Sequence, residues 1–140
     1  MPPSAFPLPA VGDIVYCRFP ESVGNPGPKP RPALVVALGR FADDSPAVRV
    51  AYGTSEKTRQ LHSGEFIIAP QDGAAYRDSG LSYPTKFDLG NVATLPYTDE
   101  WFRVPPNPLF GQTPKLGVLH PSLVRRAQAA FNAASTPKSR

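Results

Sequence analysis

Proline sets the first limit on what this chain can fold into. Nineteen of its 140 residues are proline, well above the usual share of about 5%. Proline neither donates to a sheet ladder nor continues a helix. Regular structure is therefore confined to the proline-poor intervals. The densest cluster, PESVGNPGPKPRP from Pro20 to Pro32, holds five prolines and two glycines. It reads as a surface loop, and ordered loops of this length in compact domains are often functional.

The intervals between the prolines carry strand patterns. GDIVYCRF, Gly12 to Phe19, is rich in β-branched and aromatic residues; Ile14, Tyr16 and Arg18 alternate with Val15, Cys17 and Phe19, which predicts a first strand. ALVVAL, Ala33 to Leu38, is a continuous apolar run, the pattern of a strand buried on both faces at the centre of the core. AVRVAYGTS, Ala47 to Ser55, predicts a third strand, GEFIIAP, Gly64 to Pro70, a fourth, and KFDLGNVATLP, Lys86 to Pro96, one or two more with a break at Gly90-Asn91. From Tyr97 to Gly117 the chain reads as mostly irregular, with Trp101 and Phe102 as anchors onto the core. HPSLVRRAQAAFNAA places proline at a first helical position and repeats apolar residues at Leu123, Val124, Ala127, Phe131 and Ala134, which predicts a C-terminal helix of about three to four turns.

The expected fold is thus mainly β: a small, strongly bent antiparallel sheet or barrel of short strands with a helix packed on it. The expected division is a flexible Pro-rich arm over 1–11, a single domain over 12–134 and a disordered tail over 135–140.

Charge is less informative than its total suggests. The net charge is +4, but Lys115, Arg125, Arg126, Lys138 and Arg140 supply the excess, leaving ten basic against eleven acidic residues before Lys115. Such a helix and tail read as a solvated basic surface rather than a nucleic-acid face. One cysteine, Cys17, forms no internal disulfide, and with only His62 and His120 beside it there is no metal-ligand spacing. The expectation is a cytoplasmic protein without cofactor or metal. Neither a signal-peptide pattern nor an apolar run of membrane-spanning length is present.

The common enzyme signatures are missing: no G-x-S-x-G, P-loop, G-x-G-x-x-G or H-E-x-x-H occurs. Cys17 reads as a buried inert thiol, and Asp43-Asp44 and Asp99-Glu100 as turn acids. Taken alone, Arg31 between Pro30 and Pro32 reads as a loop cation that precedes a strand.

The order of motifs carries more. GDIVYCRF, a Gly/Pro loop, RPALVV, a strand ending in VAYGTS, then PTKFDL and NVATLPY together resemble the MazF/PemK family of type II toxin–antitoxin toxins over residues 12 to 96, extended to about 134 by the helix. The resemblance implies an SH3-like barrel of short antiparallel strands with a C-terminal helix and a homodimer. It also implies metal-independent cleavage of single-stranded RNA by attack of a 2′-hydroxyl on the adjacent phosphate, held in check by a cognate antitoxin. By the same resemblance the catalytic arginine maps onto Arg31 and the strand-end hydroxyl onto Thr54, with Ser55 beside it as substitute or assistant.

Those residue types suit the chemistry. In-line attack builds negative charge on the non-bridging phosphate oxygens, a guanidinium binds two of them at once, and a hydroxyl donates to a third acceptor position. Lys29, Lys57, Arg59 and Lys86 are candidates to track an RNA backbone, and Tyr52 or Tyr16 to stack a base. For the proton transfer, His62 and Glu56 are the nearby titratable side chains. The departures from the family are the roughly thirty residues between Thr54 and Pro84, with their extra strand, and the roughly twenty between Tyr97 and Lys115; both insertions are expected to border the same groove or the dimer face. The other function class compatible with these residues is a non-catalytic SH3-like module whose groove binds peptide or nucleic acid.

Overall fold

The computed structural model describes residues 6–22 and 24–135. Six strands run in the order β1 (Asp13–Cys17), β2 (Arg31–Arg40), β3 (Pro46–Thr54), β4 (Glu65–Ile68), β5 (Thr85–Pro96) and β6 (Lys115–Val118). Two helices complete the fold, α1 (Ala74–Ser79) and α2 (Val124–Ser135), each entered through a 3₁₀ turn. All strand pairs are antiparallel, and the sheet order is β4-β5-β3-β2-β1-β6. The mainly β class matches expectation. Closure does not: β4 and β6 lie at opposite edges and do not pair, so the sheet is open rather than a closed barrel.

Proline placement explains the strand boundaries. Pro46 opens β3, Pro96 closes β5 and Pro32 is second in β2, positions where a missing N–H disrupts the ladder least. β2 therefore starts two residues before the apolar run predicts, and its cross-strand partners include Cys17↔Arg31 and Tyr16↔Pro32. The run is buried on both faces only over Ala33, Leu34 and Val35, while Leu38 emerges into solvent. The break at Gly90-Asn91 is real. Pairing of β5 with β3 jumps from Ala51↔Val92 to Tyr52↔Asp88, bulging Leu89, Gly90 and Asn91 out of the ladder.

The alternation along the strands divides the core in two. Ile14, Leu34, Ala51, Phe66 and Phe87 pack under the helices with Ala75, Leu123, Ala127 and Ala130. Val15, Cys17, Ala33, Val35, Val48 and Val50 pack on the other face against Leu95, Tyr97, Trp101 and Phe102. Trp101 and Phe102 thus anchor the irregular segment as expected. Residues 6–11 do not hang free of this second core. The Phe6 ring meets Tyr97 edge-on at 5.8 Å, the Tyr97 hydroxyl donates to the Pro7 carbonyl at 2.9 Å, and the Ala10 amide donates to Asp13 at 3.0 Å. Burial, with the Asp13 charge adding to it, pushes the Tyr97 phenol up to about 12.

On α2 the buried face is Ala127 and Ala130, continued by Leu123 from the turn, while Val124 and Phe131 are half exposed. Ser135 belongs to α2 rather than to a tail, and 136–140 and 1–5 lie outside the described residues. Two elements escaped the sequence reading. β6 is short and pairs only with β1, and α1 is a six-residue helix whose stop signal, Gly80 in the left-handed region at φ 71°, stands in the sequence just after it.

Candidate active site

The strands bring the two principal candidates together where β2 begins and β3 ends. The β2–β3 register includes Ala33↔Tyr52; continued by two residues, it sets Arg31 across from Thr54. Between them the backbones close up. A Cβ on Gly53 would sit 2.4 Å from the Pro32 carbonyl oxygen and 2.8 Å from the Phe87 ring, so only glycine lets β2 and β3 approach at this point.

A groove of about 340 Å³ opens there, lined by Lys29, Arg31, Thr54 and Ser55 along one side and by Leu81, Ser82, Tyr83 and Thr85 along another, with Tyr16 and Leu116 also facing it. No carboxylate, imidazole or thiol is among its lining residues. Arg31 and Lys29 have no ion pair and no side-chain hydrogen bond among the described residues. Thr54 Oγ1 accepts the Glu56 amide at 3.1 Å, which leaves the hydroxyl hydrogen free to donate outward.

The proline-rich loop is held in place by Arg18, a residue the sequence reading left as one face of β1. Its Nε donates to the Gly27 carbonyl at 2.9 Å and its guanidinium to the Glu100 carbonyl at 3.3 Å, and the Gly27 amide donates back to the Arg18 carbonyl at 3.0 Å. Lys29 and Arg31 thus project from a braced segment. Extended backbone imposed by the flanking prolines adds to this.

The far wall comes from the insertion between β4 and β5. Gly80 and Gly117 make its seam: a Cβ on Gly80 would lie 1.9 Å from the Leu116 carbonyl oxygen, and one on Gly117 would lie 2.3 Å from the Asp78 carbonyl oxygen. Leu81 is buried in the core below, and Thr85 Oγ1 donates to the Tyr83 carbonyl at 2.8 Å. The inserted residues therefore line the groove.

Several expected contributors lie elsewhere. Lys86 is 6% exposed; its ammonium donates to the Gln60 carbonyl at 2.8 Å and pairs with Glu65 at 3.1 Å, so it is an internal tie and no longer a candidate for the RNA backbone. Burial of Glu65 works to raise its carboxyl, but the His62 amide and Lys86 outweigh it and hold the group below the usual carboxylate range. Tyr52 packs edge-on against Phe19 at 5.2 Å in the second core and does not line the groove. Lys57 and Arg59 are surface or partly exposed residues outside the lining, as are Glu56 and His62.

The remaining polar groups have structural partners. His120 accepts the Ser122 amide at 3.1 Å at the start of the turn into α2. Arg126 is a staple rather than a solvated cation: it donates to the Ile67 carbonyl at 2.9 Å and to Asp72 at 3.1 Å. The Arg126 hydrogen bond outweighs burial and keeps the Asp72 carboxyl below its ordinary range. Burial pushes the Cys17 thiol far up, which makes it unreactive. Among the described residues no cluster of His, Cys, Asp and Glu has the grouping of a metal site, and no helix is long and apolar enough to cross a membrane.

Residues 10–104 match the model of the PemK-like, MazF-like toxins of type II toxin–antitoxin systems. No curated protein sequence matches the chain. Among solved structures, an endoribonuclease in complex with its cognate antitoxin, from a mycobacterial species, superposes with a TM-score of 0.56 at 17% identity, over 94% of this chain and 100% of that one. A second mycobacterial endoribonuclease superposes with a TM-score of 0.55 at 16% identity, over 96% of this chain and 100% of that one. At such identities the likeness is one of fold.

Proposed function

The chain belongs to the PemK-like, MazF-like toxins of type II toxin–antitoxin systems, and from that premise we propose that it is an endoribonuclease that cuts single-stranded RNA in the groove at the β2–β3 ends. The observation that carries the reading is the groove's lining: two cations without protein partners beside the Thr54 and Ser55 hydroxyls, with no carboxylate to oppose a phosphate. Arg31 is half-buried without a counter-ion, which an anionic ligand would offset, while Lys29 is exposed to solvent beside it.

In this reading the ribose 2′-oxygen attacks phosphorus as its hydroxyl gives up a proton. The bond to the 5′-oxygen breaks, and the departing oxygen takes up a proton. The products are a 2′,3′-cyclic phosphate and a 5′-hydroxyl. Arg31 holds the non-bridging oxygens with two parallel N–H donors, Thr54 donates to the same phosphate, and Ser55 supports it. Lys29 sits two residues along the loop to meet the neighbouring phosphate.

Metal independence is part of the proposal, supported by a lining that offers no carboxylate or imidazole to hold a divalent ion. The same lining leaves proton removal to solvent hydroxide, eased by the guanidinium beside the developing charge. A cognate antitoxin as inhibitor, a homodimeric toxin and a cytoplasmic site of action complete the reading. The toxin–antitoxin family supports the first, and the half-exposed Val124 and Phe131 on α2 suit self-association.

The test is to incubate the purified protein with mixed-sequence RNA in EDTA and map the ends. Cleavage with cyclic-phosphate termini is expected. If no RNA is cut but oligonucleotide or peptide binds tightly, the groove belongs to a binding module and the nuclease reading falls.

A further inference from the structure

Tyr83 stands out among the groove residues. It is 68% exposed, yet its backbone is tied by a side-chain hydrogen bond. The Thr85 hydroxyl holds its carbonyl at 2.8 Å, Pro84 restricts the peptide that follows, and Leu81 anchors the wall in the core. Behind it the Gly80–Leu116 and Gly117–Asp78 contacts press the end of α1 onto β6 with no room for a side chain. A large ring is thus exposed to solvent in the same groove as the cations, with no hydrogen bond from its hydroxyl among the described residues.

We propose that Tyr83 is the platform on which a nucleobase next to the scissile phosphate stacks, so that the inserted wall adds RNA affinity and, through differences in stacking strength among the bases, a modest base preference at that position. The inference rests on the nuclease reading of the same groove. Its chemistry is that of single-strand binding generally: cations track the backbone while an aromatic face takes a base, and every base offers such a face. The remaining lining apart from the half-buried Tyr16 is aliphatic, hydroxylic or cationic, so Tyr83 is the exposed aromatic surface of the groove that holds Arg31. A ring exposed to this extent contributes little to folding, which frees it for ligand contact.

The experiment has two arms. In the first, a fluorescein-labelled, mixed-sequence 2′-deoxy oligonucleotide, which has no 2′-hydroxyl and is not cut, is bound to wild-type protein and compared with versions made abasic at one position in turn. One abasic position is expected to weaken binding about tenfold or more. Tyr83→Ala should abolish that discrimination, Tyr83→Phe should keep it, and Tyr83→Leu should lose most of it. In the second, cleavage-site profiles on an RNA library are compared for wild type and Tyr83→Ala; the base preference at one position beside the cut is expected to flatten.

The outcomes separate the two ideas. If wild type cleaves RNA but Tyr83→Ala leaves both the abasic discrimination and the profile unchanged, the stacking role is overturned and the nuclease stands. If no RNA is cut, the nuclease reading fails, and the binding arm alone decides for Tyr83. Equal binding of all abasic versions, or no binding of any oligonucleotide, overturns it.

Discussion

Arg31 and Lys86 occupy one cross-strand row, on either side of Thr54, and the fold treats them in opposite ways. Lys86 pairs with Thr54 in the β3–β5 ladder but turns inward, where Glu65 and the Gln60 carbonyl satisfy its ammonium. Arg31, set across from Thr54 by the β2–β3 register, faces the groove without a partner. The same contrast runs through the rest of the chain. Arg18, Arg126 and Lys115 each have a carbonyl or carboxylate to bind, the last at 3.5 Å from Asp13. Lys29 and Arg31 do not. The partnered cations tie elements together; Lys29 and Arg31 are the unpartnered cations that line the groove, whereas Lys57, Arg59, Arg77, Arg103 and Arg125 are exposed cations outside it.

The comparison is broken or sharpened by substitution on its two sides. Arg31→Ala is expected to slow RNA cleavage by about a hundredfold to a thousandfold, with thermal unfolding shifted little, because the residue ties nothing down. Lys86→Ala should do the reverse: it strands Glu65 in a buried site and costs about 3 kcal/mol in denaturant unfolding, while the folded fraction keeps its cleavage rate. A Lys86→Ala protein of unchanged stability, or an Arg31→Ala protein that unfolds early, would erase the distinction.

Gly53 joins the two sides. Gly53→Ala places a methyl group against the Pro32 carbonyl and Phe87; a loss of about 2 kcal/mol in stability is expected, together with a fall in cleavage rate as β2 and β3 are pushed apart. Thr54→Val keeps shape and removes the outward donor together with the acceptor of the Glu56 amide; a loss of about tenfold to a hundredfold in rate is expected, with a stability loss of no more than about 1 kcal/mol.

The pH responses of the two sides also differ. Glu65 and Asp72 are held below their ordinary carboxylate ranges in the folded state, so the unfolded chain binds protons first. Their contribution to stability is fully present above about pH 4.3, the ordinary range of unfolded carboxyls, and is lost as pH falls through the lower folded values. Urea midpoints should therefore drop below about pH 4, and less so in Glu65→Gln. The cleavage rate, by contrast, should climb steadily with pH without levelling near about 6.5, where a histidine base would saturate.

The sequence made one side of this contrast legible and hid the other. Strand positions followed from proline-free runs, and the β5 break from Gly90-Asn91, because both are local backbone effects. Arg31 with Thr54 was readable only through the order of motifs, since nothing local says that two residues 23 positions apart in sequence face one another. Lys86 and Tyr52 lie off the groove for separate reasons that only tertiary contacts reveal: Lys86 is satisfied by Glu65, and Tyr52 packs on Phe19 in the second core. The far wall was legible only as an insertion expected to border the groove or the dimer face, not in the elements that hold it. Its position depends on glycine contacts between α1 and β6, and β6 itself carries too few residues to announce a strand. The expected barrel gave way to an open sheet because its edges, β4 and β6, are four residues each and lie at opposite ends of the order.

The most direct measurement is single-turnover cleavage of a mapped RNA site in EDTA by wild type, Arg31→Ala and Arg31→Lys, read beside urea unfolding of the same three proteins. If Arg31 is the phosphate clamp, wild type leaves a 2′,3′-cyclic phosphate, the alanine variant falls by at least about a hundredfold, and lysine, lacking the planar fork, restores only part of the rate. All three should unfold at the same urea concentration. Full activity in Arg31→Ala at unchanged stability would contradict the account.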